Sequence, residues 1–501
     1  MYDVVIIGAG PAGLTAAIKL KLLDSSLRVC VLEKSNAISG HLISGTILQK
    51  SAYIKYAKQY NLKSKTLITK EYMFYLSRRS FYDISWAAPA DASNKGNVLI
   101  SINELCAKMC LRARRLGVNV RTGCGGGELI VNGNTVLGVA TAAGHKILAK
   151  HTVLAEGSHS ILALKLASPI GYKKTEPQTY ALGLREEWVR PSSCEAGTVL
   201  HAIGWPTSQH AKLSGGFVYY YAGNVVLGFV VHLDYANSYI NPYNEFAKFK
   251  SHCLINRLLM NKSRIKYGAK IISTGGINSL PETCHQGCTI IGCAAGLVNM
   301  LKLKGLHNAL ASGESAAENI MQLFCTASAS KLRLWLTRQI WQELSSVKNM
   351  CKILKRYGKV AAILENFVSK KLKLELSLSA CHADNDNSNF SSKAKSLPRD
   401  WELKTSKAES LIFSNLNYVS RKTHLSVSDE IMHKLCDLKL YDKLIMRLCP
   451  AGVYSWIKIE KHYEFKIQYD NCVQCKSCCV KPAMKTINWT IPARGGGPNY
   501  N

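Results

Sequence analysis

Cysteine and glycine spacing carries the chemistry in this sequence. Residues 472–479 read CVQCKSCC. Cys472, Cys475 and Cys478 keep two-residue gaps. That spacing lets one chain segment wrap one face of an iron–sulfur cubane and present three thiolates to it. Zinc is the competing metal, but structural zinc sites usually pair two separated Cys-x2-Cys units, and three cysteines in one tight run fit a tetrahedral ion poorly. After a gap of three residues from Cys478 stands Pro482, so the fourth thiolate comes from elsewhere. Cys449, in LCPAGVY and followed by Pro450, is the leading candidate, and Cys436 is the runner-up. Cys479 reads as a spare thiol packed beside the cluster. The pairs in CAKMC (106–110) and CHQGC (284–288) have no partner pair and read as buried free cysteines.

The second constellation is GAGPAG at residues 8–13. An apolar run, DVVII, precedes it, a helical stretch, LTAAIKLKLL, follows, and VCVLEK brings a second strand that ends near Glu33. In such a βαβ unit Gly8 makes the tight turn and Gly10 admits a pyrophosphate to the backbone. Gly13 lets helix and strand pack, and the helix N-terminus faces the phosphates. An acidic residue about 20 positions further on, here Glu33, binds ribose hydroxyls and favours FAD or NAD over NADP. Two later segments select FAD. TVLAEGSHS (152–160) is a strand ending in Ala-Glu-Gly. CTIIGCAAGLVNMLKLKGLHNALASG (288–313) is a strand, a Gly-rich turn and a small-residue helix, the way FAD enzymes of the glutathione-reductase-like fold return to the flavin. No disulfide-reducing Cys-x2-Cys lies near these motifs and no second GxGxxG is visible. The electron partners are therefore another redox protein and a small acceptor.

These motifs need a large scaffold. The 501 residues, 47% hydrophobic and 19% charged, predict two to four globular domains. Lys plus Arg number 64 against 33 Asp plus Glu, for a net +31. The basic residues are dispersed, with no nucleic-acid-binding signature, so nucleic acid is not expected as a partner and a face toward anionic lipid fits better. MYDVVIIGAG already reads as a strand, so no signal peptide is expected. The scattered Cys30, Cys106, Cys124, Cys194, Cys253 and Cys325 are expected as buried reduced thiols. GFVYYYAGNVVLGFVVHL (216–233) is long enough to span a bilayer. Its central Ala-Gly-Asn and its Val and Tyr content predict two adjacent strands instead, and no membrane span is expected.

EPQTYALGL, IGWP, LDYANSYINPYNEF, YGAKIISTGG, IIGCAAGLVNMLKLKGLHNALASG, LCPAGVY, NCVQCKSC and INWTIPARGGGPNY occur in one order along the chain. This set resembles the electron transfer flavoprotein–ubiquinone oxidoreductase family over nearly the whole length. The Gly292-Cys293 pair, where FAD enzymes of this fold usually have Gly-Asp, is itself typical of that family. The resemblance implies an α/β protein, α+β overall. It has a Rossmann FAD domain (1–65, 95–170, 285–345), a mixed-sheet quinone domain (66–94, 171–284) and a ferredoxin-like [4Fe–4S] domain (401–501). It implies FAD and one cluster as cofactors, electron transfer flavoprotein as donor and ubiquinone as acceptor. It places Gly8, Gly10, Gly13, Glu33, Ser44, Gly45, Glu156 and Gly157 on or beside FAD-contacting motifs, with Gly292 and Gly296 in the returning turn. Cys449, Cys472, Cys475 and Cys478 fall on cluster ligands, and the backbone of Gly275 and Gly276 falls at a quinone carbonyl.

The resemblance also implies a monotopic protein on one membrane face, either the inner face of a bacterial cytoplasmic membrane or the matrix side of a mitochondrial inner membrane. Residues 346–373 would supply the surface contact. In MCKILKRYGKVAAILENFVSKKLK, Ile353, Leu354, Tyr357, Ala361, Leu364, Phe367 and Val368 recur at helical spacing among lysines and Arg356. An ordinary core-packing helix is the competing reading, and a polar linker (374–400) follows. Several positions depart from the family. Leu301 replaces a proline, Cys479 and Lys481-Pro482-Ala483 replace a more acidic stretch, and residues 415–428 are shortened. A bifurcating relative that also feeds a ferredoxin, and a non-catalytic relay with a decayed quinone site, are the alternative readings.

Overall fold

The computed structural model describes residues 1–87, 93–166, 176–190, 194–207, 214–221, 223–235, 237, 239–299, 302, 304–326, 338–348, 406–418, 423–427, 442–459, 462–481 and 487–501. Residues 349–373 of the amphipathic segment, the linker, Leu301, Cys436, Pro482 and Ala483 lie outside the described residues.

The N-terminal unit folds as its pattern dictates. Strand β1 (Tyr2–Ile7) is apolar on both faces, because it lies inside a parallel sheet covered on two sides. Helix α1 (Pro11–Leu23) begins with proline at its first position, where the missing N–H costs nothing. It is buried nearly all round between the sheet and helix Leu306–Thr326. Gly313 makes that helix pair close, since a Cβ there would collide with the Ala12 carbonyl oxygen. Strand β2 (Val29–Leu32) pairs in parallel with β1 and with Asn119–Arg121. On the other side β1 pairs in parallel with Lys146–Leu154, which pairs with Cys288–Ile290. The three segments that select a flavin thus lie side by side in one sheet and end at the same edge.

The second body is a seven-stranded mixed sheet, in the order Arg264–Ser273, Tyr180–Val189, Asn224–His232, Gly215–Tyr221, Thr198–Gly204, Lys70–Leu76, Phe81–Asp83. Residues 216–233 form two antiparallel strands within it, as their central turn residues predict. Among the described residues no helix is long and apolar enough to cross a membrane.

The cysteine-rich C-terminal region shares its core with this sheet. Tyr267, Phe246 and Phe249 pack in one cluster with Leu448, Val453, Cys449, Cys472, Cys475 and Cys478. The Tyr267 hydroxyl donates to the Pro450 carbonyl at 3.0 Å, and the Ile271 amide donates to the Cys475 carbonyl at 3.2 Å. Both bonds come from one strand, so Arg264–Ser273 is the beam that carries the cysteine loop. The C-terminal tail then ties the bodies together. The Tyr500 amide bonds the Gly40 carbonyl at 2.8 Å, and Lys266 donates to the Tyr500 carbonyl at 2.8 Å.

Cys30, Cys106, Cys110, Cys284 and Cys288 are buried free thiols, as expected. Cys124 and Cys194 are half-buried, and Cys253 and Cys325 are exposed, against expectation. Cys253 opens a helix of only seven residues and Cys325 lies at the end of a long one. Helix termini face solvent on more sides than helix interiors do, which a count of single cysteines does not register.

A flavin-sized cleft and a four-thiol loop share one wall

The sheet edge opens into a cleft lined by Gly8, Gly10, Glu33, Glu156, Gly157, Gly292 and Cys293 among others. Each glycine has a separate task. Gly8 sits at φ +111°, where a Cβ would strike the Ala155 carbonyl oxygen. Gly13 faces the Gly8 carbonyl oxygen across the helix–strand contact. At Gly10 a Cβ would meet no protein atom within 4 Å, so its bare face is presented to the cleft. The Glu33 carboxylate accepts the Ala9 amide at 3.0 Å and the Ser35 amide at 2.9 Å. It is thereby fixed at the mouth of the Gly-rich turn with lone pairs to spare for ribose hydroxyls. Glu156 accepts from the Ser160 hydroxyl and from the Leu162 amide at 3.2 Å, while burial pushes its carboxyl above the ordinary range.

Two unpaired groups bear on whether a cofactor fits here. His41 is buried against the cleft with neither ring nitrogen partnered among the described residues, and the indole N–H of Trp489 is likewise unpaired. Burial first, then the neighbouring Lys34 and Lys270, hold the His41 imidazole well below its usual pKa. Buried polar groups in native proteins find partners. A cleft with a bare glycine face, a fixed carboxylate and two waiting polar side chains suits a dinucleotide.

Other predicted positions stand aside from this lining. Ser44 is buried with its hydroxyl 2.7 Å from that of Ser101, the residue that caps helix Ile102–Arg115. Gly45, at φ +81°, is pressed against Arg185 and Val226. Ser39, His41 and Leu42 line the cleft instead, which a count from the resemblance did not single out. Gly296, at φ +81°, lies against the Gln178 side chain rather than the main cleft. The same glutamine accepts the Gly275 amide at 2.7 Å, and Gly276, at φ +71°, opens onto free space. Gln178 also lines a neighbouring cavity with Tyr180, Ser273 and His159. Sequence reasoning missed this glutamine. Its signal was its place in the EPQTY stretch, two residues before a buried strand.

All four predicted cysteines are buried, and each interacts electrostatically with others of the set. Cys449 follows helix Asp442–Leu448, and its carbonyl accepts Lys407 Nζ at 2.6 Å. In the loop, Gln474 and Lys476 adopt left-handed φ of 53° and 66°. Non-glycine residues rarely do this, and such strain clusters at functional sites. The Gln474 amide donates to Cys472 Sγ at 3.4 Å, and the Ser477 hydroxyl lies 3.3 Å from Cys475 Sγ. Burial and then Cys449 and Cys478 push the Cys475 thiol up to about 12. Four buried thiols that repel one another when charged cannot ionise together unless a cationic group sits among them, which inverts that penalty. Among the described residues no three metal-ligating side chains form a set for a single ion. A cubane makes no such demand, because each thiolate binds a different iron. Cys479 lies 4.0 Å from Cys478, half-buried, and Lys481 is fully buried with its ammonium 2.8 Å from the Tyr235 carbonyl oxygen.

The loop and the cleft are neighbours. Lys476, between Cys475 and Cys478, and Trp489, in the tail beyond the loop, both line the cleft.

Comparison with known proteins agrees with this arrangement. Residues 2–188 match the pyridine nucleotide-disulphide oxidoreductase family model. Residues 180–272 match the ubiquinone-binding model of ETF-QO, and residues 402–501 match the 4Fe-4S model of electron transfer flavoprotein-ubiquinone oxidoreductase. The chain therefore has an FAD-type domain and a [4Fe–4S] domain. Among solved structures it is similar to a geranylgeranyl bacteriochlorophyll reductase-like protein from Thermoplasma acidophilum, with TM-score 0.56 and 15% identity, covering 74% of this chain and 97% of that one. It is also similar to a flavin-dependent brominase, with TM-score 0.53 and 17% identity over 74% of this chain and 90% of that one. These two show the fold alone. Full-length relatives are mitochondrial electron transfer flavoprotein-ubiquinone oxidoreductases of Oryza sativa and Homo sapiens, each 32% identical over all of this chain and covering 92% and 88% of the relative. The Pseudomonas aeruginosa protein of the same name is 30% identical over all of this chain and 98% of its own length. The chain belongs to the electron transfer flavoprotein–ubiquinone oxidoreductase family.

Proposed function

We propose that this protein takes electrons from reduced electron transfer flavoprotein and delivers them to ubiquinone. The carrying observation is the shared wall: the cysteine loop supplies Lys476 to the lining of the flavin-type cleft. Bound FAD supplies one- and two-electron exchange, and a bound cubane passes single electrons. The chain's own residues position these groups. Gly8, Gly10 and Gly13 shape the phosphate turn, Glu33 meets the ribose, and Cys449, Cys472, Cys475 and Cys478 hold the cluster. No side chain of the site is needed as a proton-transfer catalyst in this reading. The test is a turnover assay of purified holoprotein with reduced electron transfer flavoprotein and a short-chain ubiquinone. Quinone reduction is expected. Full cofactor content without quinone turnover would favour a relay.

The quinone site is read at Gly275 and Gly276, beside the cavity that Gln178 lines. Only glycine fits at 275, since a Cβ would crowd Ser279 and Gln178. Because Gln178 already accepts the Gly275 amide, a quinone carbonyl must compete with it. A typical hydrogen bond contributes about 0.5–1.5 kcal/mol net. Gln178→Ala is therefore expected to lower the KM for quinone about threefold, with flavin reduction by the donor unchanged. A raised KM would mean that Gln178 itself binds quinone.

The membrane contact is read in an edge hairpin that sequence patterning did not single out. Strand Phe81–Asp83 pairs with Lys70–Leu76 at the rim of the seven-stranded sheet, with Leu76 opposite Phe81. Tyr72, Tyr75 and Phe81 are exposed there, Tyr82 is 57% exposed and Trp86 is 86% exposed. Exposed aromatics beside Arg78 and Arg79 suit the headgroup region of a bilayer, where amphipathic rings and cations both find partners. The double change Tyr82→Ser, Trp86→Ser is expected to cut co-sedimentation with anionic vesicles at least about fivefold, because each ring buries some 150–250 Å² when it is covered. Unchanged sedimentation would move the contact elsewhere.

A further inference from the structure

Three lysines from three parts of the chain converge where the cleft meets the cysteine loop. Lys34 follows β2, Lys270 lies on the strand Arg264–Ser273, and Lys476 sits inside the cysteine run. All three line the cleft. Lys34 Nζ donates to Gln474 Oε1 at 2.7 Å and stands 5.1 Å from the Trp489 ring. Lys270 Nζ donates to the Gln474 carbonyl at 3.5 Å. Lys476 Nζ donates to the His159 carbonyl at 3.0 Å and stands 4.6 Å from the same indole.

Among the described residues none of the three has a carboxylate in ion-pair range. The carboxylates on the same cleft are engaged: Glu33 with two backbone amides, Glu156 with Ser160 and Leu162. The ammonium groups repel one another, Lys270 and Lys476 acting on Lys34 and Lys476 on Lys270. Opposing this, Glu33 and then Cys472 attract Lys34, Cys475, Glu33 and then Cys472 attract Lys270, and Glu156 and then Cys479 attract Lys476. Lys476 is buried and Lys34 and Lys270 are half-buried; drawing three cations together away from bulk water is costly, so such a cluster implies that further negative charge is supplied at this spot. The Gly-rich turn already provides for phosphates elsewhere, whereas these lysines crowd around Gln474, whose amide donates to the Cys472 sulfur.

We propose that Lys34, Lys270 and Lys476 form an electrostatic clamp on the cysteine loop, which stabilises the negative charge that reduction adds to the cluster and so raises its reduction potential. The clamp works through space, and also through Gln474, whose side-chain oxygen and carbonyl are held by Lys34 and Lys270 while its N–H faces the ligand sulfur. Because Lys34 and Lys270 belong to the two other bodies, the potential of the cluster is set partly by residues outside its own domain. The inference rests on the cluster reading given under the proposed function.

The experiment is an EPR-monitored redox titration of the holoprotein and of Lys34→Met, Lys270→Met and Lys270→Arg. Iron, sulfide and FAD contents are measured first. An unmodified protein without a cubane overturns the cluster reading itself, before the clamp is tested. With cubane present, each Met variant is expected to keep its iron and to shift the reduction equilibrium about tenfold toward the oxidised cluster, a potential lower by about 59 mV. Lys270→Arg, which keeps the charge, is expected to stay near the unmodified value. Met variants with full iron and an unchanged potential overturn the clamp. So does an Arg variant that shifts as far as the Met one, since packing rather than charge would then be responsible. Loss of iron from the Met variants also overturns it, by making the lysines structural staples.

Discussion

Cys449→Ser will strip the protein of its iron while leaving the flavin in place. Iron content is expected to fall from about four per chain, the cubane EPR signal to disappear and bound FAD to remain near stoichiometric. Electron delivery to quinone should drop by more than about 100-fold, since even changes to residues that only hydrogen-bond a metal's ligands cost about 10–100-fold. The reason is positional. Cys449 is fixed at the end of helix Asp442–Leu448 by its amide bond to the Ile445 carbonyl at 3.0 Å, and its own carbonyl is held by Lys407 at 2.6 Å. The loop cysteines cannot replace it, because their backbone is tied to the strand Arg264–Ser273 through the bond from Ile271 to Cys475. Cys479 is the nearest spare thiol, but it adjoins Cys478 in sequence and lies on that residue's side of the site. A serine oxygen is a hard ligand where iron–sulfur clusters require soft thiolates. The flavin cleft draws no lining residue from Cys449, so FAD should survive. Retention of four irons in the variant would reassign the fourth ligand.

How far this architecture was legible depended on whether a residue's role is local. The Gly-rich turn was legible because Gly8, Gly10, Gly13 and Glu33 act within one βαβ unit, whose period and turn chemistry are written in consecutive residues. The loop Cys472–Cys478 was legible for the same reason. Cys449 required more, because nothing local links residue 449 to residue 472. The link is tertiary: helix Asp442–Leu448 and the loop pack against a shared core with Tyr267 and Phe246. Ser44 and Gly45 show the opposite case. They adjoin residues that line the cleft, yet a two-residue offset turns Ser44 toward Ser101 and Gly45 toward Arg185. The lysine cluster was not legible at all. In a chain with 64 basic residues, Lys34, Lys270 and Lys476 are separated by 206 to 442 positions and look like any other surface lysine until the sheets bring them together. The edge hairpin was missed because Tyr72, Tyr75, Phe81 and Trp86 read as ordinary strand aromatics. Only their exposure at a sheet rim distinguishes them from core residues.

Gly8→Ala and Gly10→Val separate two ways of losing the flavin, and the structure predicts opposite stability signatures for them. Gly8 holds φ at +111°, and any Cβ there collides with the Ala155 carbonyl oxygen on the neighbouring strand end. Alanine must therefore distort both the turn and the parallel pairing of β1 with Lys146–Leu154. A strained backbone position and a backbone clash together cost on the order of 2–4 kcal/mol. The FAD-free protein itself should melt earlier. Gly10 is different. Its φ of −79° and ψ of −179° are extended backbone that valine adopts without strain, and no protein atom lies within 4 Å of the added Cβ. The new side chain projects into the cleft where a pyrophosphate must approach the helix N-terminus. The FAD-free Gly10→Val protein should therefore melt within about 0.5 kcal/mol of the unmodified one, as a substitution that touches nothing in the fold does. Its FAD content after desalting should nevertheless fall below about a tenth. Thermal unfolding of the FAD-free proteins, paired with flavin absorbance of the FAD-loaded ones, reads both signatures. If Gly10→Val binds FAD as well as the unmodified chain, the cleft at the Gly-rich turn does not hold the dinucleotide.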